Sequence, residues 1–263
     1  MTQVPDELRP RRSTDRPMSL LDRVVTRLSS SSEPVPFERD WLGVTSAPAR
    51  VLMADSDWLP DAAGEDYCPR CGSSIGIGEF DGTSCGSCRH SRLPWGRLIR
   101  LGRYEGDLRD WVHEIKFKRN DHLARALGRE LGRQLVRAGI GSGDVVPIPT
   151  PALRRIRRGI DHTAGIAHGV CRTGAYRIRR HLKRSYRPVQ RAVAPSSRRS
   201  NVSGTFSARR RWLGAGIPDR VILIDDVMTT GATMRAACRE LKRAGAKQVV
   251  CVVLAVVDNP QRQ

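Results

Sequence analysis

Several features are scarce in this sequence, and each shortage excludes a class of protein. Aromatic residues make up only 5% of its 263 residues, and the longest uninterrupted apolar run is VVCVVLAVV at 249–257. A membrane-spanning helix needs about 20 apolar residues, so we predict no membrane span and interpret this run as a strand buried on both faces. Asp22 and Arg23 interrupt the apolar stretch nearest the N-terminus, which argues against a signal peptide. These absences favour a cytoplasmic protein.

Acidic residues are missing from one long interval of the chain. No Asp or Glu occurs between Asp161 and Asp219, whereas thirteen arginines and lysines do, and the whole chain has a formal net charge of +19. Such a charge is typical of proteins with a polyanionic partner, and a solvated basic surface without a specific partner is the alternative. The Walker pattern Gly-x-x-x-x-Gly-Lys-Ser/Thr is absent as well, which disfavours a simple nucleoside triphosphatase.

The N-terminal segment 1–47 lacks the patterning of a folded domain. It is rich in Arg, Ser, Pro and Asp, includes SSSSEPVP at 29–36, and places apolar residues at helical spacing only over 20–28. We therefore predict a mostly disordered extension with at most one short amphipathic helix. Met18 and Met53 are alternative start positions.

The remainder of the chain predicts an α/β fold with a mostly parallel sheet flanked by helices. Short apolar segments alternate with helical spacing from about residue 144 onward, as expected for right-handed crossovers. The predicted strands are 145–149, 177–182, 221–226 and 248–258, and the helices between them are 162–172 and 231–245. Two further helices are expected earlier, over 103–120 and 121–139.

The predicted helix over 121–139 carries the clearest pattern. Its leucines lie four residues apart and are expected to face the core: Leu123, Leu127, Leu131 and Leu135. Asp121 is the predicted N-cap, and Gly139 is the predicted stop.

The cysteines of this chain predict a metal site. Four of the seven form two Cys-x-x-Cys pairs, separated by thirteen residues that include four glycines: Cys68, Cys71, Cys85 and Cys88. In a reducing compartment such pairs indicate metal rather than disulfides, and four thiolates suit a structural zinc ion with no open position for catalysis. A redox-active dithiol pair and a metal-free remnant are the alternatives. The other cysteines lie in apolar contexts and are expected in the core: Cys171, Cys238 and Cys251.

One predicted strand ends in two adjacent carboxylates. In VILIDDVMTTGAT, at 221–233, four apolar residues lead into Asp225 and Asp226, and a threonine-rich turn then leads into the next helix. Ligands of open parallel sheets bind beyond the carboxyl ends of the strands. The turn is predicted to hold a phosphate at the helix N-terminus, through Thr229, Thr230, Gly231, Ala232 and Thr233. Ribose 5-phosphate offers both complements, because it has vicinal hydroxyls for the carboxylates and a phosphate for the turn.

These thirteen residues are similar, at every position, to the phosphoribosylpyrophosphate (PRPP) signature of type I phosphoribosyltransferases. The resemblance implies that Asp225 and Asp226 bind the ribose 2′ and 3′ hydroxyls and that residues 229–233 bind the 5′-phosphate. It further implies an oxocarbenium-like sugar, a pyrophosphate leaving group and a Mg²⁺ ion held mainly by the substrate. The signature indicates binding of PRPP or a relative more strongly than it indicates turnover.

The cysteine pairs in front of the signature make the chain similar to the ComF family of competence-associated, phosphoribosyltransferase-like proteins, from about Cys68 to the C-terminus. Residues 146–170 resemble the family's pyrophosphate-loop strand and the turn after it. Single residues that match the family are Tyr104, Gly106, Lys116, Phe117, Gln190, Arg199, Asn201, Gly204 and Phe206. The resemblance implies a zinc ribbon at 65–92, acting as a hood over the PRPP site, and a phosphoribosyltransferase-like domain at 95–258. It also suggests single-stranded DNA and competence-machinery proteins as partners.

One segment departs from the family pattern. Where the family usually has Arg-Gly-Phe-Asn-Gln, this chain has Arg-Gly-Ile-Asp-His at 158–162, which leaves the acceptor of the reaction open. Asp161 is predicted to be a helix N-cap. His162 is then expected to be an exposed first-turn residue rather than a catalytic base.

Two functions remain after these observations. In the first, the chain transfers a phosphoribosyl group and releases pyrophosphate, with Arg158 and its neighbours Arg154, Arg155 and Arg157 holding the pyrophosphate. In the second, it is a non-enzymatic competence factor that handles single-stranded DNA and uses the fold for ligand sensing or support. The aromatic residues available for base stacking in the basic interval are Tyr176, Tyr186, Phe206 and Trp212.

Overall fold

The computed structural model describes residues 53, 56–118, 120–150, 161–184, 205–208 and 216–258. The predicted N-terminal extension lies outside these residues. So do several sequence-based candidates, namely Arg154, Arg155, Arg157, Arg158, Tyr186, Gln190, Arg199, Asn201, Gly204 and Trp212. Within the described residues, no helix combines the length and the apolar character that a bilayer span requires.

Five strands form a parallel sheet, as the alternating pattern predicts. They are β1 (Arg97–Arg103), β2 (Ser142–Pro147), β3 (Ala175–Ile178), β6 (Arg220–Met228) and β7 (Gln248–Val256). Their order across the sheet is β1–β7–β6–β2–β3, and every neighbouring pair is parallel. The central strand β6 is the one that carries the carboxylate pair.

Two short strands form a separate antiparallel pair, β4 (Leu182–Arg184) with β5 (Phe206–Ala208). The prediction of one strand over 177–182 is therefore wrong. The chain leaves the parallel sheet after Ile178, and Leu182 begins a strand with a different partner. Continuous basic sequence across the junction gives no sign of this break.

Helices cover both faces of the sheet. They are α1 (Gly106–Phe117), α2 (Asp121–Arg137), α3 (His162–Val170) and α4 (Ala232–Arg243). Alternate residues of β7 divide the core, because Val250, Val252 and Leu254 pack with α1, α2 and α3. Their neighbours Val249, Cys251 and Val253 pack with α4 on the opposite face. The long apolar run is thus a strand buried on both faces, as predicted.

The structure confirms the predicted core-facing leucines of helix α2 but not its predicted N-cap. The four leucines at the i+4 spacing are all completely buried. The N-cap is Asn120, whose side-chain oxygen accepts from the backbone N–H of Leu123 at 3.0 Å. Asp121 is the first helical residue instead, and its carboxylate pairs with Arg125 one turn later. Gly139 ends the helix region with φ 76°, a conformation that favours glycine.

Helices α2 and α3 cross at a pair of glycines. A Cβ atom on Gly128 would lie 2.2 Å from the carbonyl oxygen of Ile166, and one on Gly169 would lie 2.2 Å from the carbonyl oxygen of Arg125. Only glycine permits so close an approach of the two backbones. The contact fixes α3 against α2, and with it the position of the α3 N-terminus.

Strand β1 was not predicted, because Arg97, Arg100 and Arg103 interrupt its apolar residues. Arg100 is nevertheless completely buried. Its guanidinium donates to the carboxylate of Asp61 at 2.6 Å, to the Ser74 hydroxyl at 2.9 Å and to the Gly72 carbonyl at 2.7 Å. Arg100 therefore fastens the segment that contains the first cysteine pair to the edge of the sheet.

Candidate functional site

The four paired cysteines lie together, buried, with all of their sulfur atoms within 4.8 Å of one another. The sulfur–sulfur distances are 3.8 Å for Cys68–Cys88, 3.5 Å for Cys71–Cys85 and 3.8 Å for Cys85–Cys88. A tetrahedral ion with metal–sulfur bonds of about 2.3 Å separates its ligands by about 3.8 Å. The cluster therefore has the spacing that one tetrahedral metal ion requires.

Backbone turns and one arginine shape this cluster. The Gly72 N–H donates to the Cys68 carbonyl at 2.8 Å, and φ of Gly72 is 82°, so the turn after the first cysteine pair needs glycine. Arg70, inside that pair, donates to the carbonyls of Cys88 at 2.9 Å and Ser91 at 2.8 Å. One guanidinium thus links the first cysteine pair to the second.

The two carboxylates lie where the sequence predicts, at the carboxyl end of β6. The carboxylate of Asp226 contacts His162 Nε2 at 2.7 Å and Lys116 Nζ at 3.1 Å. Lys116 comes from the last turn of α1 and His162 from the first turn of α3. Three elements separated along the chain therefore converge on one carboxylate.

The prediction of an exposed His162 is wrong, since this residue is only 3% exposed. The crossing of α2 and α3 directs the α3 N-terminus at the end of β6, so its first side chain meets Asp226 rather than solvent. The imidazole Nδ1 is buried and has no hydrogen-bond partner among the described residues. The companion prediction for Asp161 is confirmed, because its side chain accepts from the Ala164 N–H at 3.3 Å and caps α3.

The two neighbouring carboxyl groups differ in protonation. Burial, together with the charge of Asp226, raises the pKa of Asp225 to about 8. Burial would also raise the pKa of Asp226, but the hydrogen bonds and positive charges of His162 and Lys116 lower it below its usual value. The contacts of His162 and Lys116 therefore favour negative charge on Asp226 over negative charge on Asp225.

The threonine loop follows β6 and leads directly into α4. Gly231 is the N-cap of α4 and has φ 72°, which a residue with a side chain adopts at a cost. The Thr230 hydroxyl accepts from the Ala232 N–H at 3.4 Å, and both Thr229 and Thr230 are exposed. The first backbone N–H groups of α4 thus point into a loop with hydroxyls, which is a suitable setting for an anion.

Two of the aromatic residues suggested for base stacking are buried. Tyr176 is 7% exposed and donates its hydroxyl to the Ile140 carbonyl, while Phe206 is 5% exposed and packs in the core. Neither presents a free ring face to a nucleic acid. The other two, Tyr186 and Trp212, lie outside the described residues, as does Arg158.

The remaining cysteines largely follow the prediction. Cys238 and Cys251 are fully buried in the core, with their sulfur atoms 3.5 Å apart between α4 and β7. Cys171 is only half-buried, at the end of α3.

Sequence reasoning found the carboxylates but missed the role of their neighbours. Lys116 was noted only as a family match, and its pairing with Asp226 depends on where α1 ends relative to β6. The signal available in the sequence was the unusual histidine at 162, directly after a cap residue. A histidine at that position could have been considered as a partner for each acidic residue at the end of a predicted strand.

Comparisons with known proteins concern the domain as a whole. Residues 154–263 match the family model for the phosphoribosyl transferase domain. The DNA utilization protein YhgH of Salmonella typhi is 28% identical over 192 residues, which are 69% of this chain and 80% of that protein. Competence protein F of Haemophilus influenzae is 24% identical over 197 residues, which are 70% of this chain and 81% of that protein.

Among solved structures, a hypoxanthine phosphoribosyltransferase from Staphylococcus aureus is similar at a TM-score of 0.33 and 18% identity, over 54% of this chain and 67% of that one. A likeness this low carries no weight for function. The fold is instead defined by the parallel sheet itself and by the family-model match.

Proposed function

Since this chain is a ComF-family protein with a type I phosphoribosyltransferase-like domain, we propose that it binds PRPP or a related ribose 5-phosphate at the carboxyl end of β6. Asp225 and Asp226 bind the ribose hydroxyls, and the loop from Thr229 to Thr233 binds the 5′-phosphate. The observation that carries the proposal is the arrangement itself, in which a carboxylate pair and a helix N-terminus border one loop at the end of the central strand.

The unequal protonation of the two carboxyl groups suits a sugar ligand. Asp226 is ionised and accepts a hydrogen bond from one ribose hydroxyl, while Lys116 and His162 hold it in place. Asp225, with its raised pKa, either donates its proton to a hydroxyl oxygen or accepts after losing it. The anion on Asp226 would also stabilise positive charge that develops on the ribose during transfer.

Metal ions enter this proposal in two ways. The four cysteines from Cys68 to Cys88 hold a structural zinc ion, because their number, chemistry and spacing suit it. A Mg²⁺ ion would accompany PRPP, and ions bound to substrate phosphates need few protein ligands. We retain the division into a zinc ribbon at 65–92 and a phosphoribosyltransferase-like domain at 95–258 as part of the proposal.

A second function is favoured by the relatives' names and by one feature of the sequence. The similar proteins are named for DNA utilization and competence, and the interval between Asp161 and Asp219 is basic without a single acidic residue. A non-enzymatic role with single-stranded DNA would need this interval to follow the phosphate backbone. Its affinity should then fall steeply as salt rises, and a weak salt dependence would count against it.

Calorimetric titration with ribose 5-phosphate, and with PRPP and Mg²⁺, tests the proposed site. We expect Asp225→Asn and Asp226→Asn each to weaken binding, by about tenfold or more for a lost charge-assisted hydrogen bond. Asp219→Asn is the matched control, because Asp219 is exposed at the opposite end of the same strand and pairs with Lys247. Unchanged affinity in both site variants would reject the assignment.

Turnover needs a separate assay. A screen for PRPP-dependent pyrophosphate release over purines, pyrimidines and amines would identify an acceptor if the chain is a transferase. Binding of PRPP without release for any acceptor would favour the ligand-sensing role.

A further inference from the structure

Trp95 lies between the cysteine cluster and the threonine loop. It is 5% exposed, and its indole N–H donates to the Arg70 carbonyl at 2.8 Å. Arg70 is the residue whose backbone belongs to the first cysteine pair and whose side chain holds Cys88 in the second. One edge of the indole is therefore bonded to the residue that joins the two halves of the cluster.

The outer ring of the same indole lies beside the threonine loop. A Cβ atom on Gly231 would lie 3.8 Å from Trp95 Cη2, which is ordinary van der Waals contact. The Arg235 guanidinium, in the first turn of α4, lies 5.4 Å from the centroid of the Trp95 ring. Trp95 thus lies beside the cap glycine of α4 and under the Arg235 side chain of the first turn that follows it.

A second contact runs beside the first. Gly72 follows the first cysteine pair directly, and a Cβ there would lie 2.5 Å from Leu98 and 3.4 Å from the methyl carbon of Met228. Met228 is the last residue of β6, and its sulfur would lie 3.4 Å from a Cβ on Gly231. Gly72, directly after the first cysteine pair, therefore lies beside Met228, and Met228 and Trp95 both border the cap of α4.

We propose that Trp95 is a positioning residue that couples metal in the cysteine cluster to the threonine loop, so that metal occupancy sets the affinity for the sugar phosphate. This inference rests on the proposed function. Within the part of the chain that the structure describes, three partly buried apolar side chains support the four cysteines, namely Ile75, Phe80 and Leu93. Without metal the Arg70 carbonyl loses its fixed position, the indole loses its anchor, and ligand binding must then order the loop.

Thermodynamic linkage makes the coupling measurable from the metal side. If metal raises the affinity for ligand by some factor, ligand must raise the affinity for metal by the same factor. We expect zinc in the wild-type protein to resist a competing chelator about 5-fold or more strongly when ribose 5-phosphate is saturating. In Trp95→Phe, which lacks the indole N–H and the outer ring, this factor should fall to one.

Trp111→Phe is the matched control for that change. Trp111 is equally buried, but it packs in the core cluster of α1 to α3 and stacks edge-on against Trp58 at 5.2 Å. With Trp111→Phe, saturating ribose 5-phosphate should increase the resistance of zinc to the chelator as much as it does in the wild type. Loss of the factor in both variants would indicate general loosening and would contradict a specific role for Trp95.

A second measurement needs no ligand. Hydrogen exchange of the amides at 229–233 should be faster in zinc-loaded Trp95→Phe than in the zinc-loaded wild type.

Equal affinity of the zinc-loaded and zinc-free wild type for ribose 5-phosphate would overturn the coupling. Complete failure of the zinc-loaded wild type to bind ribose 5-phosphate would reject the proposed function instead. In that case unchanged loop exchange in Trp95→Phe would reject the coupling as well.

Discussion

Two regions of this molecule bring acidic groups close together, and they compensate the crowding differently. In the cysteine cluster, four thiol groups lie with their sulfur atoms within 4.8 Å, and a bound cation is the natural partner for them. At the end of β6, two carboxyl groups are adjacent, and the protein itself supplies the compensation. Lys116 and His162 contact the carboxylate of Asp226, and burial raises the pKa of Asp225.

The comparison shows which region depends on a ligand for its structure. The cysteine cluster has three partly buried apolar neighbours, whereas β6 is buried between two large core clusters. We therefore expect the sheet to fold without an ion and to position the carboxylates before a ligand binds. For the segment that contains the cysteine cluster, in contrast, we expect most of the stability to come from a bound metal ion.

Removing ligands from the cluster should have the largest effect. We expect Cys68→Ser with Cys71→Ser to abolish zinc binding, since a structural zinc site contributes about 10 kcal/mol or more to its small domain. Metal analysis should find about one zinc per wild-type chain and none in the variant. Proteolysis should then cut the region 65–92, while the protected sheet remains intact.

Cys171→Ser is the control for this change, because Cys171 is half-buried and lies outside the cluster. It should keep one zinc per chain. Retention of zinc by the double serine variant, or unfolding of the sheet along with the ribbon, would contradict the distinction drawn between the two regions.

Arg100 joins the segment after the first cysteine pair to the edge strand β1, and its replacement should have the next largest effect. Arg100→Met leaves the partly buried carboxylates of Asp61 and Asp258 without their buried cation. We expect a loss of about 3–5 kcal/mol in the free energy of unfolding, as for other broken buried ion pairs. Urea denaturation followed by circular dichroism measures it.

Arg103→Gln separates this effect from simple charge removal. Arg103 also contacts Asp258, at 3.3 Å, but its side chain is 52% exposed. Its replacement should cost no more than about 1 kcal/mol. Equal losses in the two variants would show that Arg100 has no special role in attaching the ribbon.

The sequence predicts those parts of the molecule that depend on local pattern. The strand over β7 follows from nine consecutive apolar residues, and the core face of α2 follows from four leucines at one spacing. Short sequence motifs likewise predict the cysteine cluster and the carboxylate pair. In each case the residues that determine the feature are close together in the chain.

The features that were missed depend on contacts between distant segments. Strand β1 looks too basic for a buried strand because it contains three arginines. The burial of Arg100 depends on partners at residues 61, 72 and 74, which are distant in the sequence. His162 looks exposed until the glycine crossing of α2 and α3 directs it at Asp226. A single sequence contains no direct signal for such pairings, so neither could be derived from periodicity.

The raised pKa of Asp225 gives a smaller, pH-dependent effect. The unfolded carboxyl ionises near 3.8 and the folded one near 8, so its contribution to stability is complete below about pH 4 and is lost as pH rises toward 8. Between these two pH values, each unit rise in pH lowers the free energy of unfolding by up to about 1.4 kcal/mol. Asp225→Asn removes this dependence, so its stability relative to wild type should increase between pH 5 and pH 7.5, measured by urea denaturation.

Asp226 adds no pH dependence to the free energy of unfolding between pH 5 and pH 7.5, because its lowered pKa keeps it ionised in the folded state as well as in the unfolded state. The exposed Asp219 provides the control, and Asp219→Asn should shift stability equally at all of these pH values. A difference between Asp225→Asn and wild type that stays constant with pH would mean that Asp225 is ionised in the folded protein.

Replacement of His162 should have the smallest effect and distinguishes hydrogen bonding from packing. His162→Gln keeps an N–H that can reach Asp226, so we expect a change below about 1 kcal/mol. His162→Ala leaves Lys116 and the Val227 N–H as the partners of the Asp226 carboxylate among the described residues, and should cost about 1–3 kcal/mol. Urea denaturation at pH 7 measures both. His168→Ala, on an exposed position of the same helix, should change stability by less than about 0.5 kcal/mol. If His162→Ala proves as mild as His168→Ala, Lys116 alone suffices to compensate Asp226.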